Sequence, residues 1–329
     1  MKNPFIPAWW LRNAHLQTLW ASVVRRAENP TLRRERLELP DGDFVDLDWT
    51  TGASGPVVIV LHGLQGSSNS NYARGILRAL HQHGCRAVLM HFRGCSGAPN
   101  RLPRFYHGGD TGDLNTLVNV LRAREPRTLL AAVGYSLGGN VLLKWLGEQG
   151  QYAPLSCAVA VSVPFDMNES ALRLQRGLSR IYQRHLLRSL RAAVREKSKH
   201  MRMPFEFGDL DRLRTLRAYD DAITAPLHGF SGVADYYTQS SCRQYLGRIG
   251  IPTLVLHAAD DPFLTRKAIP TQTELSPHVT LELSGHGGHV GFVYGTAPGQ
   301  ARYWLEERIP AWLEGVFAPY NAGNMQETA

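Results

Sequence analysis

The sequence predicts an α/β fold, a mainly parallel sheet flanked by helices, with an inserted helical cap. Apolar runs such as Val57–Leu61 alternate with segments of helical spacing, and this alternation is typical of parallel strands covered on both faces. The 329 residues and a hydrophobic content of 43% suffice for one large domain with an insertion. The cap is predicted because residues 165–235 are helical, basic and poor in strand signals.

The first predicted element is an N-terminal arm over residues 1–30. Leu16, Leu19, Trp20 and Val23 are spaced so that they share one face of a helix. We expect this apolar face to pack on the core. An interfacial membrane anchor is the alternative interpretation, although the face is short and only weakly basic.

The predicted core covers residues 31–164 and 236–320. Residues 37–49 alternate apolar and polar side chains around Asp41-Gly42, which is typical of a β-hairpin. Apolar runs predict the remaining strands, and helical spacing predicts the helices. The strands are expected at 57–61, 87–90, 128–133, 157–163, 253–257 and 279–283, and the helices at 72–81, 113–124, 139–146 and 300–313. Residues 321–329 are expected to form a flexible tail.

The most informative motif is Gly134-Tyr135-Ser136-Leu137-Gly138, which lies between a predicted strand and a predicted helix. In that context Gly-x-Ser-x-Gly is typical of a nucleophile elbow, a sharp turn that lifts a serine hydroxyl clear of the sheet. The glycines are expected because strand and helix backbones approach closely and leave no room for Cβ atoms. An ordinary glycine-rich turn is the alternative, but partner residues follow in the order that such a site needs.

A serine nucleophile needs a base to take its proton and an acid to orient that base. The acid candidate is Asp261, which precedes a proline after a predicted strand; Asp260 and, more distantly, Asp166 are the alternatives. The base candidate is His289, favoured over His286 because the two glycines before it allow a tight turn. Both candidates lie after strands, where sites of α/β proteins form.

The third requirement is a pair of N–H donors for the developing oxyanion. We expect the backbone N–H groups of Leu137 and Leu64 to serve, the second from the loop over residues 62–68. His62 in this loop is expected to buttress it without transferring protons. No cofactor is required by this chemistry, and a metal site is not expected because the triad already uses the relevant His and Asp residues.

Six segments together resemble a known family: Asn13-Ala14-His15-Leu16-Gln17-Thr18, residues 62–68, residues 92–97, residues 134–140, Asp260-Asp261-Pro262-Phe263 and residues 287–292. The chain resembles the YheT-like esterases, a bacterial branch of the α/β-hydrolases that is akin to eukaryotic abhydrolase-domain lipid hydrolases. The resemblance runs through nearly the whole chain and implies the α/β-hydrolase fold and carboxylic-ester hydrolysis. It also implies Ser136, Asp261 and His289 as nucleophile, acid and base. It does not fix the substrate, and the cap matches the family least well.

The net charge of +8 is concentrated in one segment. Residues 171–217 contain 13 Lys and Arg against 4 Asp and Glu, so the rest of the chain is close to neutral. Within the segment, seven arginines spaced by three or four residues are expected to line one helix face: Arg173, Arg176, Arg180, Arg184, Arg188, Arg191 and Arg195. This stripe is either a solvated surface or a contact for an anionic partner such as a phospholipid membrane. Nucleic acid is not expected, because no aromatic residues are interleaved with the arginines.

The sequence therefore predicts a serine carboxylic-ester hydrolase acting on short- to medium-chain acyl esters or lipid esters. A thioesterase or acyltransferase with the same triad, and a non-catalytic membrane-associated scaffold, remain the alternatives. Four cysteines without paired spacing and the lack of a secretory pattern favour the cytoplasm.

Overall fold

The computed structural model describes residues 4–326 and is built around one eight-stranded sheet. The strands are β1 (Leu32–Glu38), β2 (Phe44–Thr50), β3 (Val57–Leu61), β4 (Arg86–Met90), β5 (Leu130–Tyr135), β6 (Cys157–Val161), β7 (Thr253–Ala258) and β8 (Val279–Ser284). Their order in the sheet is β1-β2-β4-β3-β5-β6-β7-β8. Strands β3 to β8 are parallel, whereas β1 and β2 form an antiparallel hairpin at one edge. The predicted α/β fold is confirmed.

Ten α-helices accompany the sheet in the described residues. They are α1 (Ala14–Leu19), α2 (Asn71–Gln82), α3 (Gly112–Arg124), α4 (Leu137–Gln149), α5 (Met167–Leu174), α6 (Ser179–His200), α7 (Leu216–Tyr219), α8 (Ala225–Leu227), α9 (Val233–Ser240) and α10 (Trp304–Gln326). A π-helical turn, Asp220–Thr224, joins α7 to α8. Helix α10 begins later than predicted because Arg302–Tyr303 pairs as a short ribbon with Val293–Tyr294. Residues 321–326, which were predicted to belong to a flexible tail, are part of α10, and residues 327–329 lie outside the described part.

The core has two layers, one on each face of the sheet. Alternate residues of β3 explain this, since Val57, Ile59 and Leu61 pack with α3 and α4 while Val58 and Val60 pack with α2 and α10. Every residue of β3 is fully buried. Central parallel strands covered by helices on both faces need this uninterrupted apolar run.

Helices α5 to α9 all lie between β6 and β7, in the segment predicted to be a cap. Helix α9 runs to Ser240, five residues past the predicted boundary at residue 235. The arginine stripe is not on one helix, as the spacing predicted. Arg173 is in α5, Arg176 is in the turn, and only the arginines from Arg180 onward are on α6. The helical conformation is interrupted at Gly177, whose φ of 54° is not that of an α-helix.

The arm contacts the core, although three of the four residues of its predicted apolar face are exposed. Leu16, Leu19 and Val23 are exposed, whereas Gln17 and Thr18 are buried. Of the four residues predicted to share this face, Trp20 alone packs inward: it is half-buried, and its ring lies 4.7 Å from that of Trp10. Further inward contacts come from polar groups and from residues before α1, such as Phe5, whose ring packs 5.1 Å from that of Phe292. Residues 1–3 of the arm are outside the described range.

Long apolar helices are not present in the part of the chain that the structure describes. Among residues 4–326, none of the helices has the length and hydropathy to cross a membrane.

Candidate active site

Ser136 lies on a strained turn between β5 and α4. Its φ of 50° and ψ of −117° are unusual for a residue with a side chain. The turn is held because the Ser136 N–H donates to the Val161 carbonyl at 2.8 Å and the Asn140 N–H donates to the Ser136 carbonyl at 3.0 Å. Neighbouring strand β6 and the first turn of α4 thus fix the serine at the carboxyl edge of the sheet.

The glycines on both sides of Ser136 are required by close backbone contacts. A Cβ atom on Gly138 would lie 2.5 Å from the His62 carbonyl oxygen, and one on Gly134 would lie 2.6 Å from the Gly138 carbonyl oxygen. Neither contact can be relieved by rotating a side chain, because the obstructing atoms are backbone. The motif Gly-x-Ser-x-Gly is therefore a packing requirement of this strand-to-helix turn.

The structure joins Ser136, His289 and Asp261 in one hydrogen-bond chain. His289 Nε2 is 3.0 Å from Ser136 Oγ, and His289 Nδ1 is 2.8 Å from Asp261 Oδ2. Asp261 is buried and also accepts the Phe263 N–H at 2.7 Å through Oδ1. With Nδ1–H donating to the carboxylate, Nε2 is free to accept a proton from the serine hydroxyl.

The residues considered as alternatives have other partners. Asp260 Oδ1 accepts the Gly288 N–H at 2.9 Å, and its Oδ2 is 3.3 Å from His286 Nδ1, so these two residues face each other at the loop surface. Burial raises the pKa of Asp260. Asp166 caps α5 by accepting the Glu169 N–H at 3.0 Å. The geometry places none of these three groups in the chain that reaches Ser136.

The loop after β3 lies directly against Ser136. A Cβ on Gly63 would be 3.3 Å from the Ser136 Cβ. The tyrosine hydroxyls of Tyr72 and Tyr106 hold this loop, since each accepts at 2.8 Å the N–H of Gly63 or Gln65 respectively. Between them, the Leu64 N–H has no hydrogen-bond acceptor within residues 4–326.

The second predicted oxyanion donor is the N–H of Leu137. As the first residue of α4, Leu137 has no acceptor for its N–H within the helix. Beside the loop, His62 is fully buried, with Nδ1–H donating to the Gly63 carbonyl and Nε2 accepting the Phe92 N–H at 3.1 Å. Burial lowers the pKa of His62 to about 3, so this histidine is neutral and acts as a brace for the loop.

Two residues that the sequence analysis did not single out contact His289. The Phe263 ring stacks on the His289 ring at 3.8 Å between centroids, with 4° between the planes. The Thr18 hydroxyl of the arm accepts the His289 N–H at 2.9 Å. Both residues are in the motifs that carried the family resemblance, and this was the only sequence signal pointing to them.

The arm also contacts the residues on both sides of His289. Gln17 accepts the Val293 N–H at 2.6 Å and donates to the Val293 carbonyl at 2.9 Å. A Cβ on Gly288 would lie 2.4 Å from the Ala14 carbonyl oxygen, so the arm and the His289 loop are in direct backbone contact. The arm is therefore part of the support that orients His289.

A cavity of 620 Å³ opens beside Ser136 and His289. Most of its walls are apolar side chains contributed by the loop after β3, α4, the arm and the cap, among them Leu64, Leu137, Met167, Leu190 and Ile223. This volume and this lining are typical of a site for a small, largely apolar molecule. In the described residues, no group of three or more His, Cys, Asp or Glu side chains is arranged to hold a metal ion.

Comparison with known proteins identifies the family of the chain. A family model described as the alpha/beta hydrolase fold matches residues 56–296. "Putative esterase YheT" of Escherichia coli (strain K12) is 44% identical over 315 residues, which cover 94% of this chain and 92% of that protein. The mouse protein "Phospholipase ABHD3" is 31% identical over 313 residues, covering 91% of this chain and 75% of the relative.

A third relative and a solved structure agree with this family. "Monoacylglycerol lipase" of Saccharomyces cerevisiae is 31% identical over 267 residues, covering 79% of this chain and 59% of that one. The solved esterase Pf2001 of Pyrococcus furiosus superposes with a TM-score of 0.56 at 16% identity, covering 90% of this chain and 98% of that one. At that identity, the structural likeness bears on the fold alone.

Proposed function

This chain belongs to the α/β-hydrolase family, and from that membership we propose that it is a serine hydrolase of carboxylic esters. Its relatives include proteins named as an esterase, a phospholipase and a monoacylglycerol lipase. The observation that carries the proposal is the hydrogen-bond chain from Ser136 Oγ through His289 to Asp261. We assign these three residues as nucleophile, base and acid.

In the proposed mechanism, Ser136 Oγ attacks the acyl carbonyl carbon while His289 Nε2 takes the hydroxyl proton. Asp261 holds the Nδ1–H tautomer of His289 and stabilises the imidazolium that forms. The carbonyl oxygen becomes an oxyanion, and we assign the N–H groups of Leu64 and Leu137 as its donors because neither has an acceptor within residues 4–326.

The intermediate then collapses, and the proton on His289 passes to the departing alcohol. The acyl group remains bonded to Ser136 Oγ. Water next donates a proton to His289 and attacks the acyl carbon. The bond between the acyl carbon and Ser136 Oγ then breaks, the carboxylic acid leaves, and His289 returns its proton to Ser136 Oγ. None of these steps needs a metal or an organic cofactor, because every proton passes through His289.

The cavity supports an acyl chain of short to medium length, or one chain of a lipid ester, as the bound group. Its apolar walls stabilise such a chain by about 25 cal/mol for each Å² that leaves water. The proposed oxyanion donors Leu64 and Leu137 also line the cavity, so a bound acyl carbonyl is adjacent to both the nucleophile and the donors.

The test is turnover of p-nitrophenyl acetate, butyrate and decanoate by the protein and by its Ser136→Ala variant, without added metal. We expect hydrolysis that falls by about 10⁴-fold or more in the variant. The chain-length preference would then size the acyl site. Turnover that survives Ser136→Ala contradicts the proposal. The proposal is also contradicted if the unaltered protein shows no turnover and its Ser136 is not labelled covalently by a fluorophosphonate.

A further inference from the structure

The mouth of the cavity is bordered by exposed apolar side chains from two separate parts of the chain. Leu19 and Val23 of the arm and Ile181 of α6 all line the cavity, and yet Val23 is 73% and Ile181 56% exposed. Side chains that both line a cavity and face solvent must lie at its opening. Leu16 and Leu178 are also exposed, although they are not part of the cavity lining. We include them in the border because each lies three residues before a lining residue, Leu19 or Ile181.

The arm and the cap meet at this opening. His15 Nδ1 is 3.1 Å from the Tyr182 hydroxyl, and the two rings stack with their centroids 5.7 Å apart. The Tyr182 hydroxyl also lies 3.4 Å from the His15 carbonyl oxygen. The exposed apolar residues on the two sides of this contact therefore form one border rather than two unrelated patches.

Positive charge lies next to the border on α6. Gln183, Leu187, Leu190 and Val194 form the buried face of this helix, so Arg180, Arg184 and Arg188 are on the outward side. None of these three arginines has an ion-pair partner in residues 4–326. These three arginines line a recess together with three further arginines and only one carboxylate, that of Asp211. Arg191 and Arg195 already contact this carboxylate.

We propose that this border and its arginines form a docking surface for an anionic lipid bilayer. The mouth surface is defined as Leu16, Leu19, Val23, Leu178, Ile181, Arg180, Arg184 and Arg188. Exposed apolar side chains next to uncompensated arginines match the two layers that such a bilayer presents, acyl chains below and anionic headgroups above. A soluble protein partner would need no opening into an apolar cavity at the centre of its contact.

The consequence for catalysis rests on the proposed function. With the mouth surface against a bilayer, an ester in the lipid layer reaches Ser136 without crossing water. The docking itself does not depend on turnover, and it can be measured with the Ser136→Ala protein.

The experiment is sedimentation of Ser136→Ala protein with vesicles of phosphatidylcholine and phosphatidylglycerol, compared with phosphatidylcholine alone. We expect binding that needs the anionic lipid and that weakens as salt is raised, because salt screens the arginines. Adding Arg184→Gln and Arg188→Gln should weaken binding about 25-fold. Adding Leu16→Ser and Leu178→Ser should weaken it about tenfold or more.

The matched control removes two exposed arginines from the side of the sheet where the parallel strands begin, away from the carboxyl ends that hold the site. Arg127 and Arg248 lie shortly before β5 and β7, at the amino ends of these parallel strands, and neither forms an ion pair among the described residues. Arg127→Gln with Arg248→Gln changes the net charge as much, but should leave binding unchanged. Tyr152→Ser, which removes an exposed aromatic residue before β6, is the matching apolar control.

Three results would overturn the proposal. The first is no binding to either kind of vesicle, and the second is an equal loss of binding in the control variants. The third is a dimer in solution that Leu16→Ser and Leu178→Ser convert to a monomer, since a second copy would then be the occupant. The same two arginine substitutions in the protein that retains Ser136 separate the two proposals: turnover of soluble p-nitrophenyl butyrate should be unchanged if only docking is lost.

Discussion

Two helices that lie near Ser136, α4 and α1, are held against the core by opposite kinds of contact. Residues 137–147 of α4 are all buried, and its apolar side chains fill the space beneath the serine. Helix α1 of the arm buries the polar residues Gln17 and Thr18 and exposes Leu16 and Leu19. The first helix is fixed by hydrophobic packing, and the second by hydrogen bonds to the loop that carries His289.

The difference shows what decides which face of a helix turns inward. The His289 loop presents backbone groups that need partners, namely the N–H groups of His289 and Val293 and the Val293 carbonyl. A buried backbone group without a partner costs about 1–3 kcal/mol, and this requirement selects the polar face of α1. We therefore expect the core to supply the chemistry and the arm to supply the position of His289.

The largest expected effect is the loss of activity on substitution of Asp261, which belongs to the core. Asp261→Asn should lower kcat about 10⁴-fold, because an amide no longer holds the His289 tautomer whose Nε2 accepts a proton. Asp260→Asn is the matched control one residue earlier; it can still accept the Gly288 N–H, so activity should stay within about tenfold. Steady-state hydrolysis of p-nitrophenyl butyrate measures both variants. Equal losses would mean that the carboxylates were assigned wrongly.

The second prediction compares two Gly→Ala substitutions, one at Gly138 in the core and one at Gly288, where the arm contacts the His289 loop. Gly138→Ala places a Cβ against the backbone of β3 and its following loop, where nothing can move without the sheet, so unfolding should become easier by about 3 kcal/mol or more. Gly288→Ala meets the Ala14 carbonyl instead, and the arm can move away. It also holds alanine at a φ of +60°, which costs about 1–2 kcal/mol.

Thermal unfolding and limited proteolysis distinguish these two responses. Gly138→Ala should show a large fall in Tm, whereas Gly288→Ala should show a smaller fall with faster cleavage before residue 30 and loss of activity. If Gly288→Ala were as unstable as Gly138→Ala and its arm stayed protected, the arm would be as rigidly packed as the core.

The elbow could be predicted from the sequence because its constraints are local. The strand before Ser136, the helix after it and the glycines at 134 and 138 are neighbours along the chain, and each requires the others. The strand at 57–61 has the predicted bounds for a similar reason, since a fully buried parallel strand is apolar at every position. For Ser136, Asp261 and His289, the sequence indicated only their order along the chain. Whether the three side chains meet in space depends on how the strands are arranged in the sheet.

The arm and the arginine stripe could not be predicted to the same extent, because their constraints are distant. The partners of Gln17 and Thr18 lie more than 270 residues along the chain, and spacing alone indicates an apolar face without indicating where it points. Likewise the regular arginine spacing continues through Gly177, where the helix breaks. Periodicity predicts a face only if the helix is continuous and its neighbours are known.

The smallest effect tests the arm directly. Thr18→Val keeps the shape of the side chain but removes the acceptor for the His289 N–H, so kcat should fall about tenfold with KM nearly unchanged. The unpaired N–H should also lower Tm by a few degrees. Thr116→Val is the matched control, since the Thr116 hydroxyl donates to the Gly112 carbonyl within α3, just as that of Thr18 donates to Ala14 in α1. A variant that only loses stability would lower Tm without changing the kcat of the folded fraction. Full kcat in Thr18→Val, or an equal loss in Thr116→Val, would assign the arm a structural role and remove its part in positioning His289.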